Sequence, residues 1–279
     1  MAVNTPTPAA TRSAALEPRD RARLITVTVS EVLCVLGTLL GVGVFGGQAV
    51  NQTAGGALSA DATLLAPAGP AFSIWSVIYL GLAAYTLFQW LPSQRAAERQ
   101  RRIGWLVAAS MLLNAGWLLV VSFAPLWLSV VVIAALVLVL GLIIRELART
   151  PSSGLLETIV VDGTLGLYVG WVSVAVCANV TAFLVAEGIR VEGFAGEVIA
   201  AAVLVVAALI AFLLLRASRG NLAIGAAMAW GVAWIAVGRL SGAPESLTTA
   251  IAALIVAVVI VVLTIAARAA AAGWPRSAH

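Results

Sequence analysis

Lysine is absent from this chain of 279 residues: all 16 basic side chains are arginines, and the one histidine, His279, is the last residue. A retinal or pyridoxal Schiff base needs a lysine amine, so that chemistry is excluded. Histidine ligation of haem, zinc or copper inside the fold is excluded too. Cysteine is scarce, with Cys34 and Cys177 in different apolar segments. Buried cysteine behaves mostly as a small hydrophobe, so neither a disulfide nor a metal site is expected. There is no Ser/His/Asp, Cys/His or metal-ligand constellation, so an enzyme is not expected unless a bound photoactive or redox ligand supplies the chemistry. Charge is the last scarcity: 10% of residues are charged against 62% hydrophobic, with a mean hydropathy of +1.07. A soluble domain cannot clothe its surface from such a composition, whereas a lipid-facing surface requires it.

What is present is a series of long apolar runs. They cover approximately residues 24–46, 71–91, 103–122, 125–147, 160–184, 195–216, 221–239 and 246–270. Each suffices to cross a hydrocarbon core of roughly 30 Å at about 1.5 Å per residue. The expected fold is all-α, a polytopic bundle of about eight transmembrane helices. Residues 1–23 are polar and rich in Pro and Ala and read as a disordered cytoplasmic tail. The first apolar run is too long, and its leading tail too extended, for a cleaved signal peptide.

The arginines set an orientation. With eight spans, Arg12, Arg19, Arg21, Arg23, Arg95, Arg99, Arg101, Arg102, Arg145, Arg149, Arg216, Arg219, Arg268 and Arg276 all fall on one side. The other side holds only Arg190 and Arg239, against Asp61, Glu187, Glu192, Glu197 and Glu245. By the positive-inside rule both termini are expected in the cytoplasm, in the cell membrane of a bacterium. The basic balance then reflects topology and anionic lipid contact, so no nucleic-acid partner is expected. The longest outer connection, residues 47–70, is a candidate lid over a site.

Three segments concentrate aromatic and amide side chains. The second span opens Pro70-Ala71-Phe72-Ser73-Ile74-Trp75 and continues to Tyr79; the third holds Asn114 and Trp117. The fifth holds Tyr168, Trp171, Ala175 and Asn179, which share an arc of about 80° on one helix face. Asn114 with Trp117, and Trp75 with Tyr79, also share faces. Convergence of these faces would make an aromatic-walled cavity in the outer half of the bundle, beneath the 47–70 loop, suited to a flat apolar ligand. Structural readings stand beside this one. Asn114 and Asn179 are equally suited to bonding neighbouring helices, and Trp90, Trp105, Trp127 and Trp274 fit an interfacial belt.

The order and spacing of these residues resemble the tryptophan-rich sensory protein/translocator protein (TspO/MBR) family. That family carries a P…W-x-x-x-Y opening to its second helix, N-x-x-W in its third and Y-x-x-W-x-x-x-A-x-x-x-N in its fifth. Trp75 and Tyr79, Asn114 and Trp117, then Tyr168, Trp171, Ala175 and Asn179 match these in turn. The resemblance covers about residues 24–185. The family's W-x-P-P stretch before the second helix is missing, and a longer variant with an F-S-I-W opening is the better match. The resemblance implies a five-helix domain over 24–185, with residues 186–279 as a three-helix membrane extension. It implies a receptor or translocator that binds porphyrins or other tetrapyrroles, and in some members sterols, at the eight residues just named, with roles in transport, signalling or light-dependent porphyrin breakdown. No cofactor is required; a tetrapyrrole would be a ligand held by Trp75, Trp117 and Trp171 without histidine ligation.

An alternative reading is a proton-coupled secondary transporter of a small metabolite, working through Glu31 or Asp162, because intramembrane carboxylates are costly. Glu157 and Arg239 lie near span ends and are expected at the interface. In the extension, Trp230 and Trp234 share a face, and Gly225, Ala229 and Gly231 permit close helix approach for internal packing or a homodimer.

Overall fold

The computed structural model describes residues 16–41 and 54–273. Among them there is no β-strand, and eight helices are long and apolar enough to cross a membrane. Helix α1 spans Pro18–Gly41, α2 Ile74–Phe88, α3 Glu98–Phe123 and α4 Leu126–Arg149. Helix α5 spans Leu155–Ala186, α6 Gly193–Ala217, α7 Leu222–Ser241 and α8 Leu247–Ala272. The chain therefore forms the expected all-α bundle. The tail up to residue 15, the part of the expected lid loop around Asn51, and Trp274 lie outside the described residues.

Three helix starts lie five or six residues ahead of the sequence reading: those of α1 and α5, and that of α3, which begins at Glu98 rather than 103. Helix α1 begins at Pro18 rather than near residue 24. Asp20 accepts a two-pronged bond from Arg101 (Nε to Oδ1 2.9 Å, Nη2 to Oδ2 2.7 Å), which ties the first turn of α1 to the first turn of α3. Arg23 is buried and donates to the Arg95 carbonyl at 2.6 Å. Helix α5 begins at Leu155 rather than 160, through a π turn over Thr158–Gly163 that contains Asp162. Such turns re-aim side chains within an otherwise α-helical segment.

Contacts between helix ends show that the spans alternate in direction. The starts of α1, α3, α5 and α7 gather at the end of the bundle that carries Pro18, the terminal end. There Arg101 meets Asp20, and Asn221, at the start of α7, donates from Nδ2 to the Asp162 carbonyl at 2.9 Å. At the opposite end, Trp117 of α3 meets Asn179 of α5, and Ser246 before α8 donates to Glu197 of α6 at 2.6 Å.

Helix α5 is central and packs on α2, α4, α6 and α7. It is apolar on every side, as a helix enclosed by others can be, and Leu165, Tyr168, Val169, Trp171 and Val172 are all buried. Its approach to α7 depends on Gly170, where an added Cβ would lie 2.6 Å from the Ile224 carbonyl oxygen and 2.9 Å from the Ala227 Cβ. Gly220 turns the chain from α6 into α7 at φ +75°, with its Cα against the backbone of Ala267 and Arg268 in α8. Both features knit the last three helices into the bundle. Leu80, Leu138, Val205 and Ile265 point outward, as a lipid-facing surface requires. Trp90, Trp105 and Trp127 are also exposed, in keeping with belt positions.

Candidate functional site

The eight residues singled out in the sequence fall into two adjoining groups. The first is a packed aromatic cluster. Trp75 stacks on Tyr79 one turn later (centroids 5.2 Å, planes 15° apart), and meets Tyr168 edge-on at 6.0 Å and Trp171 at 6.3 Å. Asn114 is buried and donates from Nδ2 to the Tyr79 hydroxyl at 2.9 Å and to Cys34 Sγ at 3.4 Å, joining α3 to α2 and α1. The Tyr168 hydroxyl donates to the Ser110 carbonyl at 3.1 Å. These bonds satisfy polar groups inside the bundle and hold α2, α3 and α5 in register.

The second group lines a cleft at the end opposite the termini. Trp117, Trp171, Ala175 and Asn179 form its helical wall, together with Phe72, Val174, Ala178 and Ala182. Its roof is the connection before α2, through Ala57, Leu58, Ser59, Thr63, Ala66 and Pro67. Trp171 belongs to both groups: its ring packs on Trp75 behind and on Phe72 at 5.6 Å. Asn179 is engaged on both sides, accepting from Trp117 Nε1 at 2.8 Å and donating to Ser129 Oγ at 2.8 Å. The cavity measures about 60 Å³. Pockets for drug-sized ligands run to roughly 300–1,000 Å³, so a flat ligand enters only if the roof moves.

What fixes the roof is a residue to which the sequence reading gave no partner. Arg239 is expected at the interface, yet it is only 1% exposed. Its guanidinium donates to the carbonyls of Thr63 (2.6 Å) and Ala60 (2.8 Å) in the roof, and to Ala243 (3.1 Å). No carboxylate lies within ion-pair distance among the described residues. The roof is also tied by Ala68 N–H to the Trp234 carbonyl (3.1 Å), and Trp230 Nε1 reaches the Ala71 carbonyl (2.9 Å). Trp230 and Trp234 thus serve packing between α7 and the segment leading into α2. On the roof's exposed side, the Ser59 hydroxyl donates to Asp61 and holds its carboxyl below the usual carboxylate range. Sequence reasoning also missed Phe72, Ala178 and Ala182. The small-residue spacing from Ala175 through Ala178 to Ala182 was the readable signal for the last two.

The intramembrane carboxylates lie elsewhere. Asp162 sits at the terminal end, about 14 Å along α5 from Trp171. Its Oδ1 accepts from Arg99 Nη2 at 2.6 Å, while Arg99 Nε donates to the Thr150 carbonyl at 2.6 Å. Glu157 is expected at the interface but is buried, because Ser153 caps it from both N–H and hydroxyl at 2.8 Å and Arg99 approaches to 3.3 Å. Glu31 is buried in α1, and neither carboxylate oxygen has a hydrogen-bond partner among the described residues.

An eight-span helical membrane protein with an apolar, aromatic-walled cleft near one face is thus the class that fold and site define. A family profile described as TSPO-like protein matches residues 26–266, and the chain belongs to that family. The match runs through the last three helices as well as the first five. Comparison with curated proteins and with solved structures gives no match.

Proposed function

We propose that the chain is a receptor or translocator of the cell membrane that binds a hydrophobic planar ligand of the tetrapyrrole class in this cleft. The observation that carries the reading is the meeting of Phe72, Trp117 and Trp171 on one apolar cleft beneath the roof formed by residues 57–67. Stacking surfaces and a dry wall suit a flat conjugated molecule, and Ala175 and Ala178 leave the space a bulkier residue would fill. The pocket uses no cofactor of its own, and lipids surround the bundle.

Titrating the purified protein in detergent with protoporphyrin is expected to give saturable quenching of tryptophan fluorescence. Filling the wall with Ala175→Leu and Ala178→Leu together should weaken that binding more than tenfold. Quenching that never saturates, and is equal in both proteins, would mean partition into the micelle and would overturn the reading.

A proton-coupled carrier is the second reading, favoured by the unpartnered burial of Glu31. Asp162 suits the role less, since Arg99 already holds it. In proteoliposomes with a trapped pH dye and an imposed pH gradient, uptake of a small metabolite by such a carrier would bring proton entry that Glu31→Gln abolishes. Absence of any ligand-dependent proton flux in the unaltered protein would sink this alternative.

A further inference from the structure

We infer that Ser129 on α4 is a positioning residue for the occupant of the cleft: through the amide of Asn179 it fixes the Trp117 indole as one wall. This rests on the cleft being the binding site, as proposed above, and adds a residue that does not itself line it.

Hydrogen-bond direction carries from α4 through α5 to α3. Ser129 is wholly buried in the first turn of α4, and its hydroxyl donates back to the Leu126 carbonyl, three residues earlier, at 2.6 Å. A carbonyl can only accept, so the serine proton is committed there and Oγ is left as an acceptor. Only the Nδ2 end of the Asn179 amide can meet that acceptor, and it does so at 2.8 Å. The Oδ1 end then faces Trp117, whose indole N–H can only donate, and accepts from it at 2.8 Å. The two ends of an asparagine amide have nearly the same shape, and these partners admit one orientation of it.

Burial gives this orientation its weight. Asn179 is 2% exposed, so without the serine oxygen its Nδ2 becomes a buried donor with no acceptor. The amide then turns to find one, and Oδ1 leaves the indole N–H. An indole has one polar atom, so the bond to Asn179 is the one hydrogen bond that the Trp117 side chain makes. Its ring is the part of the cleft wall that α3 supplies. Trp171, on α5, is held instead by the rings of Trp75 and Phe72. Ser129 therefore acts on one aromatic wall of the cleft and not on the other.

Two readouts on the full chain in detergent separate this role from the cleft reading. Without ligand, isotopically labelled tryptophan shows the Trp117 indole N–H by nuclear magnetic resonance, identified among the nine tryptophans by its loss in Trp117→Phe. Ser129→Ala is expected to shift that signal and to quicken its exchange with solvent. With protoporphyrin, corrected for partition into protein-free micelles, Ser129→Ala is expected to weaken binding by about three- to tenfold, up to the effect of roughly one net hydrogen bond. In the Trp117→Phe background the same substitution should change affinity by less than about twofold, because the chain of bonds then ends on a ring with no N–H. Ser173→Ala removes a buried hydroxyl on α5 that donates to the Val169 carbonyl of its own helix, and should leave both readouts unmoved. Ser129→Cys fills the same space with a weak acceptor and should give a smaller change in the same direction, which keeps the test informative if Ser129→Ala loosens the bundle. An unmoved Trp117 signal, an unchanged affinity, or effects that multiply in full in the double variant would each overturn this inference alone. Equal losses in Ser173→Ala would overturn it too, since any lost hydroxyl would then do the same. Quenching that never saturates in the unaltered protein would overturn the cleft reading and this inference with it, whatever the indole signal does.

Discussion

Arg99→Met is expected to lower unfolding free energy by about 3–5 kcal/mol, the range for removing one partner from a buried ion pair. Arg99 and Glu157 are 7% and 6% exposed, and Asp162 is 21% exposed. Removing the guanidinium leaves two carboxylates facing each other with one cation fewer, and also frees the Thr150 carbonyl. The loss comes from the uncompensated charges and not from the pair's net worth, so a neutral version should recover much of it. Arg99→Met combined with Glu157→Gln and Asp162→Asn is expected to regain at least half of the lost stability. Reversible unfolding in mixed micelles reads both proteins. A single variant within about 1 kcal/mol of the unaltered protein would show that water reaches the cluster freely, as in an exposed pair.

Arg239→Met should release the roof. Two roof carbonyls, Ala60 and Thr63, lose charge-assisted bonds, each worth about 1.5–3 kcal/mol to a charged donor. Local opening should therefore become easier by about 2–4 kcal/mol, and amide hydrogen exchange across residues 57–68 should accelerate by roughly one and a half to three orders of magnitude. Protoporphyrin association should quicken, because the cavity of about 60 Å³ must widen before a flat ligand enters. Its dissociation should quicken as well, so the change in affinity is smaller than the change in either rate. Unchanged exchange in the roof would mean that Ala68 and the residues around it hold the segment without the arginine.

The bundle itself was legible because length and apolarity are enough to mark a span, and the eight runs did so. The face shared by Trp171, Ala175 and Asn179 was legible from helical period alone. Two features escaped. The π turn at Thr158–Gly163 breaks the regular spacing that such reasoning assumes, and so hid how Asp162 turns toward Arg99. The hold of Arg239 on the roof escaped because two of its three partners, Thr63 and Ala60, are backbone carbonyls from residues far back in the chain, and carbonyls carry no signature in a sequence. The division into a five-helix domain and an extension came from the family resemblance. It could not register Gly170 and Gly220, through which α5 meets α7 and the α6–α7 turn meets α8.

Helix α7 holds one thing at each end. Near its finish, Arg239 and the Trp234 carbonyl grip the roof of the cleft; at its start, Asn221 grips the carbonyl of Asp162. Its length, about 30 Å for 20 residues, is that of the hydrocarbon core. One helix thus ties the roof on one face of the membrane to the Asp162–Arg99 charge cluster on the other.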